Sequence, residues 1–245
     1  ATLLAGYSAQ VAAEKAKTIG SASEALCLVR VPGESTNRSN GVAGCIEAGS
    51  EANLQARGSD AAQVVAQAFL AASKRAHFAL QNAGGVRVDI GAGNITVGKV
   101  FELLPFKNTL YRLVLTGAQM KAALEDGVDS VINGTGTGAY PYTGGMRFTV
   151  DMNQARGSRI GSPEVRDASG NWKPLDPAAS YRLITNNFTA EGGDKYDTLK
   201  TIPAAQREDT FLDYADSFLQ YVRSSSPLSR PASASRSTQQ YTETP

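Results

Sequence analysis

Apolar and polar residues alternate along this chain with two periods, and neither period follows the other in strict order. Residues 4–19 are alanine-rich, carry Glu14, Lys15 and Lys17 without a breaker, and predict a helix with only a weak apolar stripe. Ser59 or Asp60 stands as an N-cap before Val64, Val65, Ala68, Phe69 and Ala72, the spacing of a second helix. A short helix is expected over Val100 to Leu104, closed by Pro105. Gly117 to Val131 places Met120, Ala123, Leu124 and Val128 on one face. Thr210 to Val222 reads as a last amphipathic helix through Phe211, Tyr214, Phe218, Leu219 and Val222.

Between these lie strand-like runs. They are Cys27 to Val31 (stopped by Pro32-Gly33), Phe78 to Leu80, Ile95 to Val97, Leu110 to Leu115, Met146 to Asp151 and Tyr181 to Thr185. Val165 to Asp167 and Trp172 predict a hairpin around Ser169-Gly170. Gly33 to Asn53 reads as a long polar loop, and from Ser224 the Ser, Pro, Thr and Gln content predicts a loosely held tail. Strands and helices mixed without regular alternation predict an α+β fold. The expected organisation is a linking helix over 1–22, one domain over 23–223 and the tail over 224–245.

Composition narrows the chemistry. The 245 residues include 24 Lys+Arg against 23 Asp+Glu, a balance that offers no basic stripe for nucleic acid. No apolar run approaches the roughly 20 residues that span a bilayer. His77 is the only histidine, which excludes a His-rich dinuclear metal centre within this chain. It reads as a surface or helix-end residue, since no Ser or Cys nucleophile motif accompanies it. Cys27 and Cys45 are the only cysteines. They are either two buried thiols or one disulfide of an exported protein. Starting at Ala1, the chain fits a processed protein or an excised domain.

Three glycine-bearing segments compete as sites. Gly134-Thr135-Gly136-Thr137-Gly138-Ala139 lacks the lysine and spacing of a phosphate loop and reads as an ordinary flexible loop. Glu125 and Asp126, beside Lys121 on a predicted helix, read as a solvated face. The other two segments are more pointed. Asn82-Ala83-Gly84-Gly85-Val86-Arg87 supplies an amide, a close-approach glycine pair and a forked cation. Asn187 to Asp194 supplies Phe188, a second glycine pair and a carboxylate. With Phe106 and Asn108 these give what a nucleoside needs: two aromatic faces for a base, amides for its edge, a carboxylate for ribose hydroxyls, an arginine for phosphate or ribose oxygens.

At these segments, over about Arg57 to Tyr196, the sequence resembles the C-terminal domain of the 5′-nucleotidase family, which includes UDP-sugar hydrolases and NAD nucleotidases. NAGGVR at 82–87 matches the family's N-G-G-G-I-R, with Ala83 in place of a glycine. ITVGKVFELLPFKN, LTGAQMKAALEDGV, GAYPYTGGMRFTVD and ITNNFTAEGGDKY follow in the family's order. The resemblance implies that Phe106 and Phe188 clamp the base, Asp194 binds ribose hydroxyls, and Arg87 lies near ribose and phosphates. It also implies that Asn82 and Asn108 read the base, with Arg57 the nearest candidate for a further substrate arginine. It implies AMP, a UDP-sugar or an NAD-like molecule as ligand, and a periplasmic or extracellular location.

The family's hydrolysis of 5′-phosphate esters uses two divalent metal ions in a separate N-terminal metallophosphatase domain, and none of that domain's motifs occurs here. No cofactor is therefore expected in this chain, which by itself is expected to be inactive. Residues 4–19 resemble the helix joining the two domains. The alternative is a stand-alone nucleoside-binding module without hydrolase activity.

Overall fold

The computed structural model describes residues 2–32, 41–45, 58–133 and 136–243. Gly33 to Asn53 (41–45 apart), Gly134, Thr135 and Arg57 lie outside the described residues. The central sheet has five strands in the order β10 (Arg207–Asp213), β4 (Thr109–Thr116), β9 (Ser180–Asn186), β2 (Phe78–Asn82) and β5 (Pro141–Gly144). Within this sheet only β2 and β9 run parallel, with Phe78, Ala79 and Leu80 opposite Leu183, Ile184 and Thr185. Every residue of β2 is buried, as a strand covered on both faces must be. Helix α2 (Asp60–Ala72) packs on β2 and β5, and helix α7 (Tyr214–Ser225) packs on α2. A second sheet orders β11 (Thr238–Thr242), β6 (Met146–Asp151), β7 (Ile160–Arg166) and β8 (Trp172–Pro174), and β1 (Thr18–Ala22) pairs with β3 (Gly93–Thr96). The fold is α+β, as expected.

Local chemistry sets the helix boundaries. Ser59 Oγ accepts from the Ala62 N–H at 2.9 Å and starts α2 where the sequence places it. Thr116 and Gln119 form a reciprocal capping box for α4 (Gly117–Ile132), at 2.8 and 3.2 Å. The last helix departs from expectation. Residues 210–213 belong to strand β10 instead, and Asp213 caps the helix by accepting from the Asp216 N–H at 2.8 Å. Phe211, at φ +56°, cannot continue a right-handed helix. The run at Cys27–Val31 is also not a strand. Its neighbour Leu26 makes one isolated bridge to Ile90, and no ladder follows.

Both ends of the chain differ from the reading by composition. Helix α1 (Thr2–Ala16) stops early, and Thr18–Ala22 is a strand of the fold rather than part of a linker. Residues 6–16 of α1 are exposed almost throughout. The helix rests on α3 (Val97–Leu103), where a side chain at Gly98 would come within 3.0 Å of the Lys15 carbonyl.

The tail is held rather than loose. Leu228 exchanges backbone hydrogen bonds with Ser21 and Ser23, β11 pairs with β6, and Arg230 and Arg236 reach the buried Asp60. Backbone pairing and ion pairs to Asp60 and Glu24 fix this segment, and neither depends on the hydrophobicity by which composition is judged.

Cys27 and Cys45 form a disulfide. With Ala25 and Val29 they make a small apolar cluster apart from the main core.

His77, just before β2, is partly buried. Its Nδ1 accepts from the Arg182 N–H at 2.9 Å, so the fold uses the neutral ring. Burial, with the nearby Arg182 cation, holds its pKa below 6.5. The unfolded chain then binds a proton that the folded chain refuses, so this contribution is complete above pH 6.5 and lost as pH falls towards the lowered folded value. The difference in denaturant midpoint between wild type and His77→Asn is expected to shrink from pH 7.5 to 5.5. A constant difference would sink this account.

Candidate functional site

Because β2 and β9 are adjacent and parallel, the segments leaving their C-terminal ends emerge side by side. One is 82–87 and the other 186–194, so two separate runs of sequence build one cavity of about 580 Å³. Its walls include Asn82, Arg87, Phe106, Asn108, Phe188 and Asp194. All the described residues singled out from sequence for a nucleoside site therefore line one space. Arg57 lies outside the described residues.

Phe106 and Phe188 are 46% and 44% exposed, which for rings in a chain with this much buried core marks surfaces kept open. The Phe106 N–H donates to the Tyr214 hydroxyl at 2.7 Å. Burial raises the pKa of that phenol, so the hydroxyl stays neutral. Arg87 lies with Cζ 5.8 Å from the Phe106 ring centroid and donates to the Gly84 carbonyl at 3.0 Å. The Phe188 ring lies against Gly193, where a Cβ would come within 2.5 Å of the ring carbons. Asp194 and Lys195 both have positive φ (53° and 67°), a turn that brings the Asp194 carboxylate back to Asn82. Asn82 Nδ2 donates to Asp194 Oδ2 at 2.7 Å.

The third wall is Gly136, Thr137 and Gly138. Read as an ordinary loop from sequence, this segment is instead part of the site. Gly138 is pressed on Gly84, and a Cβ there would lie 3.6 Å from Arg30 Nη1 and 3.7 Å from Asp194 Oδ2. Ala139 is anchored by the buried Tyr196 hydroxyl, which donates to its carbonyl at 2.7 Å. Burial, then the neighbouring Asp194 charge, pushes that phenol well above its ordinary range.

Sequence reasoning missed Arg30. It is buried, lines the cavity, and sits on a segment held by the Tyr142 hydroxyl, which shares its proton between the Val29 and Arg30 carbonyls at 2.9 and 3.0 Å. Its position in a strand-like run gave no signal.

A larger cavity of about 640 Å³ lies between α4 and β7, walled in part by Glu125 and Asp126. Both carboxylates are buried, contrary to the solvated face expected of them. Glu125 accepts from the Gly157 and Ile160 N–H groups at 2.9 and 2.7 Å. Asp126 accepts from Arg156 and the Thr198 N–H, both at 2.7 Å. Their oxygens are committed to fastening the β6–β7 loop and helix α6 (Asp197–Lys200) to α4. Among the described residues no group of three or more His, Cys, Asp or Glu is placed to hold a metal ion.

Residues 32–201 match the family model described as 5′-nucleotidase, C-terminal domain. The chain belongs to the 5′-nucleotidase C-terminal domain family. It is 34% identical over 198 residues to the NAD 5′-nucleotidase of Haemophilus influenzae, covering 79% of this chain and 31% of that protein. It is 38% identical over 146 residues to a probable 5′-nucleotidase of Treponema pallidum, 59% of this chain and 25% of the relative. Among solved structures, a 5′-nucleotidase precursor from Thermus thermophilus aligns with TM-score 0.79 and 31% identity over 98% of this chain and 43% of its own. Thus this 5′-nucleotidase C-terminal domain spans between a quarter and under a half of these relatives. No helix among its described residues is long and apolar enough to cross a membrane.

Proposed function

We propose that this domain binds a nucleoside or nucleotide and acts as the substrate-selecting part of a 5′-nucleotidase-type phosphohydrolase. One observation carries the reading: two half-exposed phenylalanine rings share one cavity with a carboxylate and an arginine. A base stacks between Phe106 and Phe188, ribose hydroxyls donate to Asp194, and Arg87 and Arg30 meet ribose or phosphate oxygens. Asn108 reads the base edge. AMP, UDP-sugars and NAD-like molecules share this nucleoside core, and one relative's name specifies NAD.

The two divalent metal ions belong to an N-terminal metallophosphatase domain outside this chain, with α1 as the joining helix. A periplasmic or extracellular location is favoured by the disulfide, a bond that persists in oxidising compartments.

Calorimetric titration with adenosine, uridine and NAD tests the reading. Trp172, the only tryptophan, lies in the β7–β8 hairpin under Arg147 at 4.5 Å and lines a different cavity, so its fluorescence is a poor reporter. Saturable binding of at least one ligand is expected, without phosphate release from AMP when divalent metal is added. No heat with any of the three would overturn the proposal, and metal-dependent turnover would overturn the division of labour.

A further inference from the structure

Beneath the Asn82–Asp194 contact lies a chain of buried amides. Gln81, Asn186 and Thr189 are fully buried and Asn82 nearly so. Asn82 Oδ1 accepts from three donors: Gln81 Nε2 at 3.0 Å, Asn186 Nδ2 at 3.1 Å and Thr189 Oγ1 at 3.3 Å. Asn186 Nδ2 also donates to Gln81 Oε1 at 3.2 Å. Asn186 Oδ1 accepts from the Thr189 N–H at 2.8 Å, where Asn186 caps the one-turn helix α5 (Asn187–Ala190).

The direction of every bond follows from the two ends. A backbone N–H can only donate, so Asn186 must turn its oxygen to Thr189 and its nitrogen towards Asn82. Asn82 then turns its oxygen inward and its nitrogen outward to Asp194. A carboxylate can only accept, so the far end agrees. Gly85 makes room for this, since a Cβ there would lie 2.1 Å from Gln81 Nε2.

We infer that Gln81, Asn82, Asn186 and Thr189 form a buried relay that fixes the direction of the Asp194 carboxylate, so that Asn186 and Thr189 are positioning residues for recognition of ribose hydroxyls. Asn82 acts through Asp194 as well as lining the cavity. This rests on the nucleoside reading above. The left-handed backbone at Asp194 and Lys195 makes the need plain: that turn is sparsely populated by such residues and persists where surroundings over-determine it.

The test compares adenosine with 2′,3′-dideoxyadenosine on the whole chain by calorimetry, with Tm recorded for each variant. Wild type is expected to prefer adenosine by roughly ten- to a hundredfold, the range for a hydroxyl hydrogen bond to a charged group. Thr189→Val removes one donor to Asn82 at nearly constant volume. Asn186→Asp keeps the capping oxygen and reverses the polarity towards Asn82. Both are expected to lower the adenosine preference while leaving dideoxyadenosine affinity within about twofold, because the base stack carries that affinity. An unchanged preference in variants that keep their Tm overturns the relay, as does equal weakening of both ligands.

A second arm needs no ligand. Asn186→Asp should lower Tm, and adding Asp194→Asn should recover part of the loss, because the reversed Asn82 amide then meets a donor. Additive losses overturn the relay even if no nucleoside binds. Absence of binding by wild type would count against the nucleoside reading alone.

Discussion

Asp60→Ala is expected to lower the unfolding free energy by about 3–5 kcal/mol, the cost of removing one partner from a buried ion pair. For a chain of this size that is a Tm loss of about 6–20 °C. Asp60 is 0% exposed and lies in the first turn of α2. Its Oδ1 is 3.1 Å from Arg236 Nη2, and its Oδ2 is 3.5 Å from Arg230 Nε and accepts from the Cys27 N–H at 3.4 Å. Its favourable place at a helix N-terminus accounts for only about 0.3–1 kcal/mol of this. The ion pairs therefore dominate, and Arg236, itself buried, is left without that carboxylate in the variant. The tail is the element released. Trypsin should cut Asp60→Ala after Arg236 (Arg230 precedes Pro231 and is not a trypsin site) under native conditions that spare wild type, and Arg236→Met should cost more than the helix-dipole effect alone. A Tm change of a degree or two, or a tail equally resistant in both proteins, would refute this.

That prediction concerns a part of the molecule the sequence hides. The α2, β4 and α4 segments were legible because each carries a regular apolar period, and α2 also has its capping residue, Ser59, just before it. The tail was not, because Ser, Gln and Thr can pair backbone to backbone as well as any residue, and composition records only side-chain hydrophobicity. Phe211 fitted a helical stripe by spacing and failed by dihedral angle, a property local periodicity does not carry. Glu125 and Asp126 looked solvated because their partners, the N–H groups of Gly157, Ile160 and Thr198, lie about 30 to 70 residues away.

The site was more legible than its surroundings. Asn82, Arg87, Phe106, Asn108, Phe188 and Asp194 stand in motifs whose order survives as sequence, and the parallel pair β2–β9 brings the two main motifs together. Arg30 and the 136–138 wall were invisible for the opposite reason. They join the cavity only through tertiary packing, at Tyr142, at Tyr196 and at the Gly84–Gly138 contact.

Replacing both rings, Phe106→Ala with Phe188→Ala, is expected to abolish measurable adenosine binding while leaving the fold in place. Each base–aromatic stack is worth about 1–3 kcal/mol, so one truncation weakens binding roughly 5- to 150-fold and two together reach about 2–6 kcal/mol. The sum need not be additive, because both rings touch one base and loss of the first lets it tilt off the second. Each ring is close to half exposed, so truncation removes little core and Tm should move far less than in Asp60→Ala. This contrast separates binding from stability.

Phe→Leu at either position separates stacking from plain burial, since leucine keeps apolar area and loses the π face. Leucine variants should recover part of the affinity, tyrosine variants most of it. Phe188 is the more demanding position, because its ring is seated on Gly193 and a leucine branch meets that backbone. Phe106 instead shares its ring with Arg87, so Phe106→Leu should also weaken the hold on a 5′-phosphate and lower AMP affinity more than adenosine affinity. If the double alanine variant binds adenosine as wild type does, the base is held elsewhere and the aromatic clamp is refuted.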